Sequence, residues 1–211
     1  MTSQDDGDEC YMSFCRVVTG TGLVSMNFPQ RYKADIVSAV ESIDLDKVIE
    51  IIELFKQART HGRNIFVCGN TRSASAASRV LCDMVTRSSF ERPARFRILA
   101  LDDRTPELDG NGEAGCMERL LVEQLKNFAE PEDVVVGISA PDNSLPILRA
   151  LEYAAWIGCK TVAFTGLDGG KLASQANIAI HVGSTHLGTV EDTHVIICHM
   201  IGSYFLEFDR R

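Results

Sequence analysis

The fold turns on Ile65-Phe66-Val67-Cys68-Gly69-Asn70-Thr71-Arg72-Ser73-Ala74-Ser75-Ala76-Ala77. Its first four residues are apolar without alternation, the pattern of a short strand covered on both faces. Gly69 then allows a tight turn. The small residues after it let backbone N–H groups approach an anion at the start of the next helix.

The same rhythm recurs downstream. Apolar, largely β-branched runs at Phe96-Arg97-Ile98-Leu99-Ala100-Leu101, Val134-Val135-Val136-Gly137-Ile138, Thr161-Val162-Ala163-Phe164 and Ile178-Ala179-Ile180-His181-Val182 alternate with helical patterns at 73–87, 116–128, 143–157, 170–176 and 189–208. Strands apolar on both faces and separated by helices predict an α/β domain with a doubly wound, five-stranded parallel sheet flanked by helices. Two further helices precede it. Tyr32, Ile36 and Val40 mark the first at four-residue spacing. The second follows Asp44, an acceptable N-cap, and ends near His61-Gly62, where glycine supplies the cap. Residues 1–27 carry no such pattern and are expected to be a disordered extension or the product of a mis-assigned start, with Met26 as the alternative first residue. Residues 28–211 are expected to form a single domain.

The 211 residues are 45% hydrophobic and 24% charged, an ordinary globular composition. A formal charge of −8 argues against nucleic acid as a partner, which needs a basic surface. No apolar run approaches the ~18 residues of a membrane span. The acidic N-terminus has no apolar core of the kind that marks a secretory signal. Seven scattered cysteines without a C-x-x-C pair fit free thiols in a reducing cytoplasm.

Ligands of such sheets bind beyond the carboxyl ends of the strands, so the loops there carry the functional reading. After the first strand, Ser73 and Ser75 offer hydroxyl donors, although small residues at that turn also have a plain packing explanation. After the third stands Ser139-Ala140-Pro141-Asp142-Asn143-Ser144, in which Asn143 or Ser144 would equally serve as a helix cap. After the fourth stands Thr165-Gly166-Leu167-Asp168-Gly169-Gly170-Lys171-Leu172, in which Asp168 would cap a short helix.

Taken in order, Cys-Gly-Asn-x-x-Ser, Gly-Ile-Ser-x-x-x-Asn-Ser and Thr-Gly-Leu-Asp-Gly-Gly-Lys-Leu resemble the sugar isomerase (SIS) domain of bacterial phosphoheptose isomerases, from about Val48 to Tyr204. The likeness is to the branch found with nucleotide-sugar and surface-polysaccharide genes. It implies a flavodoxin-like SIS fold and a homotetramer, with a homodimer as the alternative, whose active sites lie between subunits. It also implies zinc-assisted aldose–ketose isomerisation of sedoheptulose 7-phosphate. That reaction needs a base to move a proton between adjacent carbons and an acid to serve the oxygens.

The resemblance carries over residue by residue. Asp83 takes the place of a Glu that is both ligand and base, and His199 that of a His that is ligand and acid–base, a residue type that titrates near neutrality. Glu191 stands where the family has a Gln ligand. Asn70, Arg72, Ser73, Ser139, Asn143 and Ser144 fall in the phosphate-holding loops. Arg79 occupies the position of a zinc-ligand His, and a guanidinium cannot ligate a metal; a plain ion pair between Arg79 and Asp83 is the structural alternative. Asp83, Glu191 and His199 are therefore the degenerate metal candidates. Two family glycines are replaced by Thr71-Arg72, and hydroxyl donors by Ala140-Pro141-Asp142. The expected function is thus a phosphoheptose isomerase-like enzyme with an altered metal site. The alternative is a catalytically inactive SIS module, acting as a sugar-phosphate sensor or as an adaptor of the replication-initiator-binding type.

Overall fold

The computed structural model describes residues 28–69, 72–101, 115–140, 144–166 and 169–209, apart from the side chains of 72–76 and 115–118. The extension expected over 1–27 lies outside the described residues. The elements are α1 (Phe28–Glu41), α2 (Leu45–Thr60), β1 (Asn64–Gly69), α3 (Arg72–Ser88), β2 (Arg97–Leu101), α4 (Gly115–Phe128), β3 (Val134–Ser139), α5 (Leu145–Trp156), β4 (Lys160–Thr165), α6 (Gly170–Gln175), β5 (Ile178–His181) and α7 (Leu187–Glu207). Two units are distinguished, Met1–Lys33 and Ala34–Arg211. The described part of the first is the opening of α1, where the rings of Phe28 and Tyr32 stand 6.0 Å apart. All that follows concerns the second.

Helix boundaries follow from local chemistry. The Asp44 carboxylate accepts the amides of Asp46 and Lys47 at 3.1 and 3.2 Å, satisfying two of the donors that the start of α2 leaves open. At the other end Gly62 adopts φ +66°. Its amide bonds Arg59 O, and that of Arg63 bonds Ala58 O, the paired closure that a left-handed residue makes possible.

The sheet is parallel throughout, in the order β2-β1-β3-β4-β5. Strand alternation sends side chains to two separate cores. Ile65, Val67, Val134, Val136, Val162, Phe164 and Ile180 pack with α2, α3 and α7 on one face. Phe66, Cys68, Val135 and Ala163 pack with α4, α5 and α6 on the other. Phe55, Phe66, Phe164 and Phe205 are fully buried, each stabilising the fold by roughly 1.5–3 kcal/mol.

Polar clamps close the amino edge of the sheet. Asp133, itself buried, accepts the amides of Asn64 and Glu130 at 2.8 and 2.9 Å, and its carbonyl accepts Lys160 N at 2.8 Å. Near the end of the chain Arg59 lies over the Phe96 ring and pairs with Asp209 at 2.6 Å, while Arg92 donates to the Asp209 carbonyl. Among the described residues, no helix is long and apolar enough to cross a membrane.

Candidate functional site

Strand order reverses at β1. The helix that follows β1 packs into the core with α2 and α7, whereas the helix that follows β3 packs on the opposite face. A crevice opens where two such helices diverge, between the carboxyl ends of β1 and β3. Register places Gly69 beside Ile138, and Ser139 beside Thr165. The exits of β1, β3 and β4 thus stand side by side, as the loop sequences require if they are to share one ligand.

The candidate residues distribute unevenly over this edge. Asn70 and Asn143 lie outside the described residues, as do the side chains of Arg72 and Ser73, which occupy the first turn of α3. Ser139 is fully buried at the end of β3. Ser144 is the N-cap residue of α5, yet its hydroxyl does not bond that helix's amides. The N-cap position of α6 is Gly169 at φ +81°, and Asp168 lies outside the described residues.

Arg79 and Asp83 are both exposed on α3, and the described ion pairs do not include one between them. On α7, Glu191 is half-buried and His199 exposed. The two helices pack against each other. Cys82 and Cys198, the residues preceding Asp83 and His199, lie close enough for Cys82 to add to the upward shift that burial imposes on Cys198. Within one chain the described residues gather no group of three or more His, Cys, Asp or Glu able to hold a metal ion, so Asp83, Glu191 and His199 do not converge there. With Arg79 always protonated and offering no lone pair, this donor set does not fit a zinc ion.

At this edge the exit of β4 is closely packed. A methyl group at Gly166 would fall 2.5 Å from Val190 Cγ1 and 2.9 Å from Ala140 O, so only glycine lets this turn pass between α7 and the exit of β3. Just before it, the Thr165 carbonyl accepts the Val182 amide at 2.9 Å and the His194 Nε2–H at 3.2 Å. His194 is 1% exposed and lies beside the Phe164 ring. Burial lowers its pKa to about 4, the bond to Thr165 opposing that shift and His181 adding to it.

Sequence reasoning assigned no role to His194 because it falls on the apolar stripe of Val190, Ile197, Ile201 and Phe205, which reads as core. His186 was missed altogether: its Nδ1 accepts the Thr189 amide at 3.2 Å and caps α7, a task for which histidine gives no sequence signal. A separate groove of about 540 Å³ between α4 and α5, lined by Arg119, Glu123, Lys126, Arg149, Tyr153 and Trp156, includes no strand end and lies apart from these loops.

Residues 30–166 match the family model described as SIS domain. The chain is 33% identical over 171 residues to a probable phosphoheptose isomerase of Thermoplasma volcanium, covering 79% of this chain and 87% of that protein. It is 34% identical over 172 residues to a phosphoheptose isomerase of a Geobacter species (strain M21), covering 81% and 88%. Among solved structures, phosphoheptose isomerase GmhA from Neisseria gonorrhoeae superposes with a TM-score of 0.75 at 21% identity, covering 87% of this chain and 98% of that one. That superposition shows the shared fold.

Proposed function

Because this chain belongs to the SIS-domain family, in its phosphoheptose isomerase-like part, we propose that it holds a phosphorylated sugar at the carboxyl edge and interconverts its aldose and ketose forms, with sedoheptulose 7-phosphate as substrate. One observation carries this reading. The family match at residues 30–166 takes in both β1 and β3 and the loops that follow them, and the sheet register sets the ends of these two strands side by side at the reversal of strand order.

In this reading the turns at Asn70, Arg72, Ser73, Asn143 and Ser144 receive the phosphate over the buried Ser139, with backbone N–H groups at the starts of α3 and α5. Asp83 and His199 move protons between adjacent carbons and their oxygens by way of an enediol. Glu191 orients sugar hydroxyls. Arg79 supplies positive charge where the negative charge of the enediolate develops. The site is completed between copies of the chain in a homotetramer or homodimer, supported by the exposed apolar residues Val37, Leu45 and Ile49. The cytoplasm suits Cys68, Cys82, Cys159 and Cys198, which form no disulfide. The test is incubation with sedoheptulose 7-phosphate, with and without added zinc. Aldose product without zinc is expected, and no product in either case from folded protein removes the isomerase reading.

A second reading rests on Arg79 and on Ala140-Pro141-Asp142: a catalytically inactive SIS module that senses a sugar phosphate or docks on a protein of the replication-initiator type. Thermal shift against a panel of sugar phosphates separates the cases. Stabilisation without turnover favours the sensor, and no stabilisation by any sugar phosphate favours the protein-binding role.

A further inference from the structure

The carbonyl of Thr165 is a junction of three elements. It ends β4, accepts the amide of Val182 just after β5, and accepts the imidazole of His194 from the middle of α7. A carbonyl oxygen has two lone pairs, and here each has its own donor. Because a carbonyl only accepts, His194 must carry its proton on Nε2, which fixes the tautomer of a buried, neutral ring. One turn earlier on the same helix, Val190 packs against Gly166, and the space a Cβ would need there is bounded by Val190 and by Ala140 O together. The bond from His194 therefore ties α7 to the turn that stands beside the exit of β3.

We propose that His194 is a positioning residue for the sugar-phosphate site: by holding the Thr165 carbonyl it fixes the end of β4 and Gly166 beside Ser139 and Ala140. This rests on the proposed function for the identity of the ligand, but not for the mechanical role. The turn itself is closed by the Gly169 amide on Gly166 O at 2.8 Å, which makes that amide a reporter of its order.

The experiment compares His194→Gln, which keeps an N–H near the position of Nε2, with His194→Leu, which fills the space without a donor. Both are checked for fold by circular dichroism. Should the Leu variant not fold, His194→Asn replaces it, since its shorter amide stops near the position of Nδ1. Calorimetry with sedoheptulose 7-phosphate and hydrogen exchange of the Gly169 amide without ligand are the two readouts. The donor-less variant is expected to bind about tenfold or more weakly and to exchange faster, with the Gln variant restored to within about threefold of the wild type. Binding and exchange unchanged in the donor-less variant, or a Gln variant as impaired as it, overturns the proposal. If the wild type binds no sedoheptulose 7-phosphate, the substrate reading fails, and the exchange rates alone decide the role of His194.

Discussion

Asp133 accepts the backbone amide of Asn64 at 2.8 Å and its side-chain amide at 3.1 Å, joining the first residue of β1 to the residue before β3. A third donor, Glu130 N, meets the same carboxylate at 2.9 Å. The cluster sits at the edge of the sheet opposite the candidate site.

Replacing Asp133 by Ala leaves these donors without an acceptor in a buried setting, a loss of about 3 kcal/mol. Asp133→Asn keeps one acceptor oxygen and is expected to lose less. Urea denaturation measures both. A cost below about 1 kcal/mol for Asp133→Ala means that water reaches these amides and the clamp is not structural.

Stability should fall with acid through His194. Its folded pKa is about 4 and that of a free histidine 6.5, so between those values the unfolded chain binds a proton that the folded chain refuses. The contribution is complete above about 6.5 and lost progressively as pH drops towards 4, amounting to roughly 3 kcal/mol. Unfolding of wild type and His194→Gln at pH 7 and pH 4.5 isolates it from the carboxylates. Equal acid losses in the two proteins count against the assignment.

Three buried thiols should resist alkylation. Desolvation, with the nearby Asp83 charge, pushes Cys82 up to about 12. Desolvation and the Asp133 charge push Cys159 up to about 11, and burial raises Cys198 further still. The thiolate is the nucleophile, so iodoacetamide at pH 8 should label these positions only after denaturation, as read by peptide mass spectrometry. Labelling of Cys82 in folded protein at the rate of a free thiol contradicts its burial between α3 and α7.

Val37, Leu45 and Ile49 are 48%, 59% and 57% exposed, a cost that a second copy of the chain would remove. Ile49→Glu places a charge on that face and is expected to lower the mass seen by light scattering after size exclusion, with little change in secondary structure. An unchanged oligomer locates the interface elsewhere, and a monomeric wild type removes the oligomer altogether.

The fold was legible because both of its signals are local. An apolar run such as Ile65–Cys68 can satisfy its two faces only inside a sheet, and Asp44 and Gly62 mark the ends of α2 through bonds to near neighbours. The site was less so. The bond from His194 to Thr165 spans 29 positions, and Asp133 reaches Asn64 across 69. Each ends on or depends on backbone atoms, which every residue possesses, so nothing in the side-chain pattern announces it. Burial divided the candidates in a way that motif order did not foresee: Ser139 faces inward and His199 outward.

The sheet separates two cores that, among the described residues, share no side chain. Substitutions far apart and without common partners combine almost independently. The α4–α6 face can therefore remain intact while the surface of α3 and α7 changes, so exposed positions such as Arg79, Asp83 and His199 are free to vary, and the chemistry with them, without loss of a folded protein.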